Sequence, residues 1–391
     1  MAPPRARQRA PHHRHSKVSD RRLDRPSVVP RGSVQVRPPR RSRQRPAMRR
    51  WLWLFAARAF QCGALLQHRP SRVLTIQRST NLLYEDQQAA LGRRAEAEEA
   101  WLGASTELQT PGRAKKSVKQ KAGTGFGAPV AAVQSDAAAA LRKDGVVRLN
   151  NALTPETTAL LRTHVLAARS TAYAAFEKDP NRADDLFGIE PERASRCDVL
   201  LSFDGTDANA PDGHVVREAL VELLDHTAVG DCFAAACGDG APLYELCALV
   251  TEPGAPRQTV HPDTPWRTQS PLFCAFVALQ DVDYSLGPTL FIPGSHTGEK
   301  SRKFSNDAEE LFKTSKPVVA TLKAGDCVIF DSRTLHAGTA NQLQGGSTRA
   351  IFNVSFRNAA VSGNMGYKGS LRPDYASRTG MDLDSVSKGL V

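Results

Sequence analysis

The sequence predicts a mainly β fold with flanking α-helices: a double-stranded β-helix, or jelly roll, with an N-terminal helical layer on one sheet. Three observations predict it. Eight short apolar or alternating runs lie at 243–251, 257–263, 271–282, 288–292, 317–322, 326–331, 333–337 and 348–357. Gly, Pro and Asp punctuate them, as the turns of a two-sheet β fold require. The helical patterns come earlier, so helices and strands are segregated rather than alternating.

The chain has 391 residues, 41% of them hydrophobic, which is enough for a sizeable core. Its charge is uneven. Residues 1–50 carry fifteen Arg and one Lys against two Asp, while the whole chain is +12, leaving about −2 for residues 51–391. The pI of 9.6 therefore belongs to a tail, and nothing in the body suggests a nucleic-acid-binding core. With eight Pro and few large apolar side chains, residues 1–50 cannot offset their conformational entropy and read as a disordered basic tail. An RNA- or membrane-binding arm, a solvated tail and a segment ahead of the true start all remain open.

Met48-Arg49-Arg50 followed by Trp51 to Ala57 resembles a basic n-region and an apolar h-region. Arg58, Gln61 and Gln67 break the run, so it is too short and polar to span a membrane. The stretch has no acid before Glu85, which suits an intracellular, organellar transit segment better than a secretory signal. Residues 51–128 also hold an Ala/Glu-rich helix at 85–103 and a basic linker at 104–128, with Lys115, Lys116, Lys119 and Lys121.

The globular domain is 129–391. Residues 131–143 are Ala-rich and helical, stopped by Asp144-Gly145, and 146–149 form a short strand. Thr154 caps a helix with Pro155 at its first position. It runs to about Arg169, with His164 in a surface or packing role. Residues 175–197 read as a polar loop and 216–224 as a helix. Seven scattered Cys with no Cys-x-x-Cys pair argue against a disulfide framework and a zinc knuckle, and for buried thiols in a reducing compartment.

The chemistry sits among the strands. In an extended run, residues i and i+2 share a face, so His261 and Asp263 project together. Alone, His-x-Asp is weak. His336, after the buried run Asp326 to Phe330, completes two His and one carboxylate, the donor set of a facial Fe(II) triad. Three ligands on one face leave room for a cosubstrate and dioxygen. The run 348–356 alternates: Ala350, Phe352, Val354 and Phe356 make the packing face, and Arg349, Ile351, Asn353 and Ser355 the other. A guanidinium facing a cavity needs an anionic partner. That partner is a ligand carboxylate held bidentately or an acid from another strand.

In this order the motifs resemble the phytanoyl-CoA dioxygenase family of Fe(II)/2-oxoglutarate-dependent oxygenases over about residues 135–360. The markers are Asp144-Gly145-Val146-Val147, Leu153-Thr154-Pro155-Glu156, Pro253-Gly254, His261-Pro262-Asp263, Leu279-Gln280-Asp281, Gly287 to His296, Gly325-Asp326, His336, Asn341 and Arg349. The resemblance implies that His261, Asp263 and His336 ligate Fe(II), and that Arg349 holds the distal carboxylate of 2-oxoglutarate. Thr289, Asn341 and Ser347 would be supporting polar contacts, and dioxygen the oxidant. A carboxylate at Asp263 favours hydroxylation over halogenation, which needs that ligand site vacant. The expected substrate is a small organic or acyl molecule. His296 reads as a turn residue rather than a fourth ligand. Gln258 alternates away from His261 and is either a support or surface. Trp266 is either pocket wall or core. Residues 175–197 and 297–316 are either a lid or surface loops.

Two departures touch the cosubstrate contacts: Leu286 stands where an acid or Asn often precedes the Gly, and 337–348 is long and Gly-rich. The rival readings are a non-catalytic jelly-roll binding module and a zinc hydrolase on the same triad. Substrate identity and oligomeric state are not legible.

Overall fold

The computed structural model describes residues 96–98, 128–132, 136–189, 195–204 and 213–391, all within the unit Leu74–Val391. The basic tail, the transit-like segment, the lysine-bearing linker and most of the 85–103 helix lie outside the described residues. Residues 96–98 are helical.

Helix α1 is Ala137–Asp144, so it starts later than the Ala-rich run suggests. Asp136 accepts from the Ala139 amide, and Gly145 closes the helix at φ 72°. Upstream, Ala128–Pro129 forms strand β1, parallel to Val318–Val319 (β7). Strand β2 is Val146–Leu149. Helix α2 is Pro155–Lys178, capped by Thr154 with Pro155 in its first turn. It runs well past Arg169 because Ser170 to Lys178 contains no Gly or Pro; Asp179-Pro180 stops it.

The expected loop at 175–197 is corrected. It contains the end of α2, a 3₁₀ turn at Pro180–Arg182, helix α3 (Ala183–Leu186) and the start of strand β3 (Arg196–Leu200). Helix α4 is Gly213–Leu224, and an unanticipated α5 follows at Ala228–Cys237. Gly230 permits that tight α4–α5 corner, since a Cβ there would sit 1.9 Å from the Leu224 carbonyl oxygen.

The remaining strands are β4 (Leu243–Thr251), β5 (Leu272–Ala278), β6 (Thr289–Phe291), β8 (Cys327–Asp331), β9 (His336–Gly338) and β10 (Arg349–Arg357). They form a six-stranded sheet, β2-β8-β5-β10-β4-β3, and a four-stranded sheet, β1-β7-β6-β9. Every pairing in the larger sheet is antiparallel.

One strand expectation fails and another holds only at its end. Residues 257–263 make only an isolated bridge, His261 to His336, because Pro262 has no amide to donate and interrupts a ladder. The 333–337 run is a turn leading into β9. Residues 297–316 are not loops but helices α6 (Gly298–Asn306) and α7 (Ala308–Thr314), whose Phe304, Leu311 and Phe312 pack on Val260, Leu290 and Leu335. Helices α8 (Pro373–Ala376) and α9 (Leu383–Ser387) end the chain.

The six-stranded sheet separates two cores. Toward the helices, Ala350, Phe352, Val354 and Phe356 of β10 pack with Leu161, Leu220 and Phe233. Toward the smaller sheet, Ile351, Cys274, Val328 and Phe330 pack with Phe291. The period-2 reading of β10 thus describes its two faces. The inward face is apolar at one end and polar at the other, and the polar end holds the site. The six described Cys are free and buried. Among the described residues, no helix is long and apolar enough to cross a membrane.

Candidate active site

The inner face of the large sheet, strands β6 and β9 and the 258–263 segment line a cavity of about 470 Å³. His261, Asp263, His336, Thr289 and Arg349 all line it, with Gln258, Thr251 and Arg196.

Backbone hydrogen bonds hold the triad in place. The His261 amide donates to the His336 carbonyl and the His336 amide returns the bond, each at 2.9 Å; the Asp263 amide donates to Ser332 O at 2.9 Å. His261 Nδ1 bonds to Thr259 O at 2.7 Å, and His336 Nδ1 to Thr334 O at 2.9 Å. A carbonyl only accepts, so each Nδ1 carries a proton, and Nε2 is the atom left to donate to a cation once it is deprotonated. The two Nε2 atoms lie 3.7 and 3.4 Å from Asp263 Oδ1. The three donor atoms lie within 4.8 Å of one another. Cis donors about 2.1 Å from one ion stand roughly 3 Å apart, so small side-chain movements suffice to close on a metal.

Burial opposes the ionised forms here, and the pair overcomes it. Desolvation would raise Asp263, but the His336 imidazole, its hydrogen bond and His261 hold the carboxyl below its ordinary range. Burial would lower His336, and the Asp263 carboxylate raises it.

Arg349 is 5% exposed. Its guanidinium donates to the Gly287 carbonyl and, at 2.9 Å, to Thr251 Oγ1. Gly287 reaches this point at φ 70°, where a Cβ would clash with the Thr339 carbonyl. Arg349 Nε has no hydrogen-bond partner, and no ion pair to Arg349 occurs among the described residues. Burial first, then Arg196, push the guanidinium down to about 9; it is still charged at neutral pH. Arg196 donates to the Pro256 carbonyl and, at 2.9 Å, to Thr339 O. A buried cation with only neutral acceptors fits an anionic ligand well.

Other predicted residues land elsewhere. Asn341 is buried but does not line the cavity; its amide donates to Thr251 O at 3.1 Å and Ser347 O at 2.9 Å. Ser347 is exposed and contributes only that carbonyl. Gln258 faces the cavity wall rather than away, accepting from the Gly338 amide at 2.8 Å. Trp266 is neither pocket wall nor core: it is 40% exposed and donates to His296 O at 3.1 Å. His296 is buried, with Nε2 3.1 Å from Arg142 O, away from the triad.

Sequence reasoning missed Arg196, Asp198 and Glu245, which also line the cavity. Two signals were available. Arg196 and Asp198 alternate with the apolar Cys197 and Val199, and Glu245 interrupts an otherwise apolar strand. Glu98, on the described helical stretch, is 1% exposed; it pairs with Arg257 and accepts from the Val260 amide at 2.9 Å, next to His261.

The family model described as Phytanoyl-CoA dioxygenase (PhyH) matches residues 141–349. No curated protein matches the chain. Among solved structures, the non-haem α-ketoglutarate-dependent carbocyclase SnoK from nogalamycin biosynthesis is 23% identical, covering 60% of this chain and 88% of its own, with a TM-score of 0.40. The epimerase SnoN, in complex with Fe³⁺, α-ketoglutarate and nogalamycin RO, is 19% identical over 60% and 93%, with a TM-score of 0.39. EctD from S. alaskensis, in its apoform, is 18% identical over 64% and 86%, with a TM-score of 0.42.

Proposed function

The chain belongs to the phytanoyl-CoA dioxygenase family, and from that premise we propose that it is an Fe(II)- and 2-oxoglutarate-dependent dioxygenase that hydroxylates a small organic molecule. One observation carries the reading: a two-His, one-carboxylate donor set and a buried Arg without an anionic partner among the described residues line the same cavity.

The donor set fits the metal. Two imidazoles and a carboxylate suit Fe(II) and leave positions open. His261, Asp263 and His336 would hold it, and Arg349, hydrogen-bonded to Thr251, would receive the distal carboxylate of 2-oxoglutarate, with Thr289 on the wall of the same cavity. When bound, Fe(II) and 2-oxoglutarate with dioxygen supply the oxidising chemistry, yielding succinate, CO₂ and a hydroxylated product. The chain supplies geometry. Thr259 and Thr334 carbonyls fix both imidazole tautomers. Thr251 and Gly287 set the direction of the Arg349 guanidinium. Leu249, Val250 and Phe276 wall the cavity with apolar surface and limit water. Asp263 fills the third ligand position, which favours hydroxyl over halide transfer.

The test is spectroscopic. The full chain, with Fe(II) and 2-oxoglutarate added without oxygen, should show the weak visible metal-to-ligand charge-transfer band, and Arg349→Ala should weaken it. Fe(II) binding with no such band would overturn the cosubstrate assignment.

A further inference from the structure

The triad and Arg349 leave much of the cavity unused. Along β4 and β10, Arg349 stands opposite Thr251, and Ser355 stands opposite Glu245. The cationic end and Glu245 are thus about six residues apart along the sheet, roughly 20 Å at the strand rise. Asp198, opposite Leu249, lies between them. Asp198 and Glu245 both line the cavity.

These carboxylates lack cationic partners. No ion pair to either occurs among the described residues. Asp198 accepts from Ser370 Oγ at 3.2 Å, and Glu245 from Tyr367 Oη at 3.2 Å. Glu245 is 7% exposed. Desolvation, then Glu245, push Asp198 up to about 8, and desolvation, then Asp263, raise Glu245. Lys368 is on the wall but exposed.

A second, independent observation points to a ligand. Asn353, on the inward face of β10, is 3% exposed and lines the same cavity. Its amide nitrogen lies 3.4 Å from Glu245 Oε2, and its Oδ1 has no hydrogen-bond partner. A buried acceptor without a donor is costly. Two carboxylates and one amide oxygen thus face one space, all asking for donors. The His261–Asp263–His336 group is the metal-ligand cluster found among the described residues, so the acidic end is not a second metal site of that kind.

We propose that the acidic end is the prime-substrate subsite, and that it takes a cation: a primary or secondary ammonium, or a guanidinium, on a compact apolar frame. Cys274, Phe276 and Leu249 supply the apolar wall. Burial holds both carboxyl groups above their ordinary range; an N–H cation would draw them into the ionised form and donate to Asn353, whereas an anion would oppose that ionisation. The proposal rests on the reading above, because it assigns 2-oxoglutarate to the Arg349 end and the substrate to what remains.

Three probes of one shape test it: cyclohexylammonium, cyclohexanol and cyclohexanecarboxylate. Each is titrated calorimetrically into the full chain holding Fe(II) and 2-oxoglutarate without oxygen. Cyclohexylammonium should bind at least about tenfold more tightly than the carboxylate. In Asp198→Asn/Glu245→Gln the preference should collapse to about twofold, with the 2-oxoglutarate band retained. Asp198→Asn alone should lose part of it, which keeps the test open if the double variant does not fold. Equal or tighter carboxylate binding, a preference that survives the variants, or no binding of any probe would overturn the proposal. If wild type shows no 2-oxoglutarate band, the dioxygenase reading fails; the same titration on metal-free protein still reads the acidic end by itself.

Discussion

The two ends of the cavity solve opposite problems with the same device. At one end Arg349 and Arg196 are held by neutral acceptors: the Gly287, Pro256 and Thr339 carbonyls and the Thr251 hydroxyl. At the other, Asp198 and Glu245 are held by neutral donors, the Ser370 and Tyr367 hydroxyls. Neither end has a counter-ion paired to it among the described residues. A folding core would pair or replace such groups, since unpaired buried charge is costly. The triad differs, because its carboxylate and imidazoles stabilise one another. The contrast separates a site assembled in advance from two sites completed by what they bind.

Removing the self-paired centre should cost most. Asp263→Ala should abolish turnover and lower Fe(II) affinity by more than about a hundredfold, with the circular dichroism spectrum unchanged. Turnover that survives would remove the triad from the chemistry.

The cationic end comes next. Arg349→Ala should weaken 2-oxoglutarate by about 30- to 5000-fold, the range for truncating one partner of a buried charge pair. Arg349→Lys should restore only part, because Lys lacks the planar fork. Equilibrium titration of the anaerobic Fe(II) form measures both.

The acidic end should respond in stability instead. A carboxyl raised from 3.8 to about 8 binds its proton more tightly when folded. Its contribution is therefore complete below about pH 4 and is lost as pH rises to about 8. Asp198→Asn should accordingly raise the melting temperature of the unliganded protein at pH 8 by about 2–4 °C, and by less at pH 5. Equal shifts at both pH values would remove Asp198 from this account.

Asn341→Ala should have the smallest effect on ligand binding. It loses hydrogen bonds to Thr251 O and Ser347 O, worth about 1 kcal/mol each. The melting temperature should fall by a few degrees, while 2-oxoglutarate affinity changes less than about threefold. A larger loss would mean that the clip, rather than Thr251 Oγ1, sets the guanidinium.

Much of the fold was legible where the signal is local. The Thr154-Pro155 start of α2 needs only a cap and a fixed φ. The two faces of β10 need only alternation. The errors fall where neighbours decide. Arg196 and Cys197 end a run read as polar loop, and become the start of β3 because β4 offers an edge. Residues 257–263 read as strand, and become an extended segment with one bridge because Pro262 cannot donate. Helix α5 depends on a tertiary corner: the missing Cβ of Gly230 is what the Leu224 carbonyl requires.

The site divides in the same way. His261, Asp263, His336 and Arg349 were readable because residue chemistry, spacing of two and strand alternation are properties of the chain. The acidic end was not. Glu245 and Asn353 are 108 residues apart, and Asp198 and Ser370 are 172 apart. No local pattern links such residues. Strand order and register bring them to one wall, and burial then converts ordinary carboxylates into groups that need a partner.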